Sequence, residues 1–171
     1  AGRLINYHLR KEVYGKFEPC SLDEIARRNV ELGYYDENFF AVYNPEEVFQ
    51  LDHYIKHDRD ENIAFAGMEQ FRGKYLVQNR VTGEIYETPQ ITYMMIAATL
   101  FADYPTKTRM KYVKDFYDAI SNFDISLPTP IMAGLRTPQR QFSSCVLIET
   151  DDSLDSINAT SSSIVKYVSQ K

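Results

Sequence analysis

Three groups of residues in this chain have side chains that could do chemistry. The thiols are Cys20 and Cys145. They lie far apart and in unlike settings. That is not a disulfide framework, and zinc-ligand spacing is absent. Cys145 opens the apolar run Cys145-Val146-Leu147-Ile148. From the residues alone it reads as a small hydrophobe on a buried strand, with thiol chemistry as the alternative. The second group is His57-Asp58-Arg59-Asp60. It could be an acid–base or metal cluster, but one histidine with flanking charges reads first as a helix terminus with its own ion pairs. The third is aromatic: 13 Tyr and 10 Phe with no Trp. At that density the rings read as helical core before they read as nucleotide-stacking platforms.

The elements that must position these groups follow from capping and periodicity. A first helix covers residues 4–14 and stops near Gly15. Ser21-Leu22-Asp23-Glu24 is a capping box, opening a helix to about Leu32 with Gly33 as its stop. Asn44-Pro45-Glu46-Glu47 opens another, with Val48, Leu51, Tyr54 and Ile55 as its apolar stripe. Residues 74–87 predict a β-hairpin turning at Val81-Thr82-Gly83-Glu84. Thr88-Pro89 then begins a helix with Ile91, Tyr93, Met94, Met95, Ile96, Ala97, Ala98, Leu100 and Phe101. That sequence is apolar on nearly every face, as in a helix buried all round. Pro105 starts the next helix, with Met110, Val113, Phe116, Tyr117 and Ile120 at helical spacing.

The texture changes after Phe123. Ser126-Leu127-Pro128-Thr129-Pro130-Ile131-Met132 carries two prolines around one threonine and predicts extended chain. Residues 141–149 predict a doubly buried strand. Asp151-Asp152-Ser153 then caps a helix running through Ile157, Ile164, Val165 and Val168. Strand, acidic turn and helix form the opening unit of an α/β sheet or barrel. One such unit cannot make a parallel sheet by itself. The expectation is therefore an internal piece of a larger protein.

Bulk properties exclude several classes. With 44% hydrophobic and 25% charged residues, the 171-residue chain is not a disordered one. Nineteen basic against 24 acidic residues leave a net charge of −5, and no basic block is visible. Gripping a nucleic-acid backbone is thus not expected. No apolar run approaches the ~20 residues that span a bilayer. The start has no signal-peptide layout, and two unpaired cysteines suit a reducing cytoplasm.

Three long strings resemble a known family. GKYLVQNRVTGEIYETPQ (residues 73–90), ISLPTPIMAGLRTPQRQFSSCVLIE (125–149) and DSLDSINATSSSIVKYVSQ (152–170) are similar to the large (alpha) subunit of bacterial class I ribonucleotide reductase. HLRK (8–11), YGKFEP (14–19) and HDRD (57–60) extend the match over essentially the whole chain. Strings this long are far more specific than a lone glycine fingerprint.

The resemblance implies a fold and an activity. The fold is mainly α, with the hairpin in an N-terminal helical region, followed by the first β/α unit of a ten-stranded α/β barrel. Residues 1–15 would end an ATP-cone region, 16–123 would be the helical domain, and 124–171 would begin the barrel. The activity is radical reduction of ribonucleoside diphosphates to 2′-deoxyribonucleotides. A small subunit supplies the radical, so this chain itself would hold no cofactor and no metal. Deoxynucleotides and ATP would be effectors, the large subunit would form a homodimer, and thioredoxin or glutaredoxin would return the electrons.

Residue by residue, Cys145 falls on the family's first redox cysteine. Thr129 and Ser144 fall on substrate-binding positions, where the alternative is a threonine satisfying its own turn. Asp152, Ser153 and Leu154 match the start of the specificity-effector site, although an ordinary helix cap would look the same. Lys11 falls near an activity-effector contact. Cys20 matches nothing in the pattern. No third cysteine follows Cys145, so the chain alone is expected to be inactive. The competing reading is a non-catalytic helical module that binds a nucleotide or a protein.

Overall fold

The computed structural model describes residues 1–139 and 141–169. Among them are α1 (Gly2–Tyr14), α2 (Leu22–Glu31), α3 (Asn38–Val42), α4 (Pro45–Tyr54), α5 (Phe65–Gln70), α6 (Pro89–Leu100), α7 (Thr106–Ser121), α8 (Thr129–Gly134) and α9 (Leu154–Ser169). A 3-10 helix (His57–Asn62) and a π-turn (Phe71–Tyr75) complete the set.

Local chemistry accounts for most boundaries. Ser21 Oγ accepts from the Glu24 N–H (3.2 Å) at the start of α2. At α4 the Asn44 side chain accepts from Glu47 N–H while the Glu47 carboxylate accepts from Asn44 N–H, at 2.9 and 3.0 Å. Two orphan amides are thereby satisfied at once. Gly15 ends α1 in the left-handed conformation (φ 71°). After α7 the same role falls to Phe123 (φ 66°), with Asp124 N–H reaching back to Ala119 O at 2.9 Å. At the other end of α1, the chain passes so close that a Cβ on Gly2 would lie 2.6 Å from Ile63 O. That contact presses α1 onto the backbone between the 3-10 helix and α5.

The core is centred on α6. Every residue from Pro89 to Ala98 is buried, as the all-round apolar sequence predicts. Each large apolar side chain removed from water contributes about 1.5–3 kcal/mol. The Val113, Tyr117 and Ile120 stripe of α7 packs on one side of α6. Leu22, Ile25 and Ala26 of α2 join the same core with Val48 and Leu51 of α4. Leu9 and Val13 of α1 are in it too, reached through the 3-10 helix and α5.

Three expectations need correction. The β-hairpin over 74–87 is only one antiparallel bridge, Gln78 to Ile85, closed by a turn in which Gly83 has φ 77°. Leu76, Val77 and Ile85 are drawn into the helical core, so the arms bend inward rather than run side by side as a ladder. The two prolines at 128 and 130 do not exclude a helix. Pro128 is the extended N-cap of α8 and Pro130 sits in its first turn, where a missing N–H leaves no bond unmade. Finally, residues 141–150 form no strand. They contain no paired ladder, and 143–150 are exposed, Cys145 among them. A strand exists only through its partner, and no described segment pairs with this one in a ladder. α9 likewise buries none of its residues, so the first β/α unit of a barrel is not assembled within the described residues.

Candidate functional site

Thr129 begins α8 on the surface of the helical body. The π-turn and α6 pack against that helix. Downstream the chain folds back once. The ring of Phe142 lies against Gly134, close enough that a Cβ there would be 3.9 Å from Phe142 Cε1. Two residues later, Ser144 Oγ donates to Cys145 Sγ at 3.8 Å. The thiol is free and exposed.

Beyond it, a compact turn enters α9. Asp151 N–H donates to Ser156 Oγ (2.8 Å), and Ser156 N–H donates to Ser153 Oγ (3.2 Å). Ser153 is therefore the helix cap that its type and place predict. Asp152 and Leu154 are exposed beside it. Lys11 is exposed on the last turn of α1, an element that packs on the 3-10 helix and α5. The structure thus brings Ser144 and Cys145 into contact and sets Asp152, Ser153 and Leu154 in one turn. Lys11 belongs to a different face, and Thr129 stands at the far end of α8.

What holds this flank to the core is a buried network that the sequence reading did not single out. Arg136, just beyond α8, forms a two-pronged ion pair with Glu87, both side chains fully buried. Its Nε donates to Glu87 Oε2 at 2.9 Å, and its Nη2 donates to Glu87 Oε1. The guanidinium also donates to Met132 O and Tyr75 O, each at 2.7 Å. Glu87 additionally accepts from Val77 N–H (2.7 Å) and from the Tyr35 hydroxyl. Although burial disfavours its charge, the adjacent Glu87 carboxylate raises the Arg136 pKa. Burial, with the Glu87 charge, pushes the Tyr35 hydroxyl far up, so it stays a donor. The available signal was a carboxylate set between the apolar Ile85 and the helix start at Thr88.

Within the cluster at 57–60, Arg59 and Asp60 are taken up by the fold, while Asp58 is exposed. Arg59 donates to Asp118 (2.7 Å) and to Ser121 (2.5 Å). Asp60 is fully buried and accepts from Gln90 Nε2 (2.9 Å), while Gln90 Oε1 accepts from Tyr117 (2.6 Å). Burial pushes the Asp60 carboxyl up to about 7 and the His57 imidazole down to about 4. Among the described residues, no three His, Cys, Asp or Glu side chains are grouped to hold a metal ion. No helix there is long and apolar enough to cross a membrane.

Fold and flank together define a helical body that carries a thiol segment on one side. Residues 61–140 match the family described as ribonucleotide reductase, all-alpha domain. Over all 171 residues the chain is 61% identical to the ribonucleoside-diphosphate reductase 1 subunit alpha of Escherichia coli K12, covering 22% of that protein. It is 58% identical to the alpha subunit of Haemophilus influenzae, covering 23% of it, and 49% identical to that of phage T4, covering 22%. The chain is thus similar over its whole length to bacterial ribonucleoside-diphosphate reductase alpha subunits, and its middle matches the ribonucleotide reductase all-alpha domain. It spans about a fifth of the length of the relatives it matches.

Proposed function

We propose that this chain is the part of a ribonucleoside-diphosphate reductase large subunit that offers substrate its first reducing thiol. The observation that carries the reading is the 61% identity over all 171 residues, a span that takes in the Ser144–Cys145 segment.

In this reading a radical supplied by the small subunit is relayed to a cysteine elsewhere in the large subunit and activates the ribose by abstracting its 3′-hydrogen. Cys145 and a second thiol outside this chain then reduce the sugar. Two S–H bonds are lost, one disulfide forms, and the 2′-hydroxyl leaves as water. Thioredoxin or glutaredoxin reduces the disulfide. Thr129 and Ser144 hydrogen-bond the ribonucleoside diphosphate. Proline on either side of Thr129 limits the ordering cost of binding.

The remaining assignments follow the same reading. Asp152, Ser153 and Leu154 contact a deoxynucleotide effector at the large-subunit dimer interface, with Asp152 reading a sugar hydroxyl, since a carboxylate repels phosphate. Lys11 contacts the activity effector at the end of an ATP-cone region (1–15). Residues 16–123 form the helical domain. In residues 124–171 the bare segment around Cys145 becomes the opening strand of the ten-stranded barrel, paired by the rest of the subunit. The enzyme works in the cytoplasm, without membrane or nucleic acid.

The test is Cys145→Ser in the full-length large subunit, assayed with the radical subunit and a dithiol reductant. Deoxynucleotide formation is expected to fall to background while substrate binding persists. Turnover at the parent rate would overturn the reading. The 171-residue chain assayed alone is expected to give no product.

A further inference from the structure

The Glu87–Arg136 pair is placed oddly for a stabilising element. Among the described residues, it is the ion pair whose two side chains are both fully buried. Taking two charges out of water costs several kcal/mol each, and apolar side chains of like volume often serve stability as well or better. What a buried two-pronged pair provides is geometry, because the planar guanidinium fits a carboxylate in one orientation.

That geometry converges on the substrate flank. Arg136 grips α8 through Met132 O and grips the π-turn through Tyr75 O. Its own carbonyl accepts from Asp36 N–H at 3.0 Å, tying it to the loop before α3. Two residues before Arg136, Gly134 receives the Phe142 ring, from which the chain proceeds directly to Ser144 and Cys145. At the other end of the same short helix stands Thr129. One guanidinium therefore links the core to both residues that the proposed function assigns to substrate binding.

We propose that Arg136, held by Glu87, is a positioning residue that sets α8 and the Phe142-anchored segment so that Thr129 and Ser144 meet one substrate. This rests on the function proposed above. A purely structural role makes a different prediction. Loss of stability lowers the amount of active enzyme and so the apparent kcat, but leaves KM where it was. Misplaced binding groups raise KM in enzyme that remains folded.

The experiment uses the full-length large subunit with its radical subunit. The double variant Glu87→Met/Arg136→Met removes both charges together, so no unpaired ion is left behind. It is expected to melt below the parent protein, because Val77 N–H, the Tyr35 hydroxyl and Tyr75 O lose their partners, and in the enzyme that remains folded KM for the ribonucleoside diphosphate is expected to rise about tenfold. Arg136→Lys keeps the charge but loses the fork, and the same rise in KM is expected. That single variant decides the matter if the double one does not fold. Parent-like KM in whichever folded variant is measured would overturn the inference. Cys145→Ser run alongside separates the two readings. If it is active, the proposed function fails; if it is dead while KM in the pair variants is normal, only the positioning role fails.

Discussion

Replacing Asp60 by asparagine should change how the stability of the protein depends on pH. The Asp60 carboxyl is fully buried, with Oδ1 accepting from Gln90 and Oδ2 making no hydrogen bond to the described residues. Arg59, its sequence neighbour, is committed to Asp118 and Ser121. Burial is the main cause that pushes the carboxyl from 3.8 up to about 7. The native state then holds its proton more tightly than the unfolded chain does. Stability must therefore fall as pH rises through that interval, with the whole penalty present above it. The full difference corresponds to about 4 kcal/mol, of which about 2.5 kcal/mol accrues between pH 5 and pH 8. The asparagine side chain would keep an acceptor for Gln90 and has no proton to lose. Urea unfolding followed by far-ultraviolet circular dichroism at the two pH values measures the effect. The variant should gain about 2.5 kcal/mol on the parent between pH 5 and pH 8. His57, whose depressed pKa of about 4 makes stability fall toward acid pH, acts in the opposite direction but equally in both proteins, so it cancels. Identical pH dependence for Asp60→Asn and the parent would refute the reasoning.

Tyr117→Phe removes the donor to Gln90 Oε1 (2.6 Å) and the acceptor for Lys56 N–H (2.8 Å). Two groups are left unpaired near the core, and the urea midpoint should drop by the equivalent of about 1–3 kcal/mol; an unchanged midpoint would show that both groups find other partners. Arg109→Ala strands the Glu47 carboxylate, which the arginine contacts at 2.6 Å, and frees Val42 O. A loss of about 3–5 kcal/mol is expected. Removing Glu47 as well should recover part of that loss, a double-mutant cycle that additive behaviour would contradict.

Much of the helical body is legible in short stretches of sequence. Asn44-Pro45-Glu46-Glu47 closes its capping box as written, because every atom involved lies within one turn. The uniformly apolar run after Pro89 is buried as far as Ala98, since a helix with no polar face must be surrounded, whereas Leu100 at its end is exposed. The hairpin misled because alternating apolar residues are equally satisfied by a strand partner or by a helical core, and Leu76, Val77 and Ile85 take the core. Pro128 and Pro130 misled because proline breaks a helix interior yet suits a helix start. Of the flank residues, Ser153 is the cap expected of it, whereas Cys145, expected to be a buried strand residue, is exposed on an unpaired segment.

Sequence alone determined the starts of α2, α4 and α6, the identity of the central buried helix, and, through its long motif strings, the resemblance to one family. All of these depend on contiguous residues. Only the tertiary structure decided that Glu87 and Arg136, 49 positions apart, share one dry site, and that Asp60 is sealed beneath Gln90. No local pattern encodes such meetings. A charged residue reads as solvated until folding removes the water and leaves it the partners that the packing brings within reach.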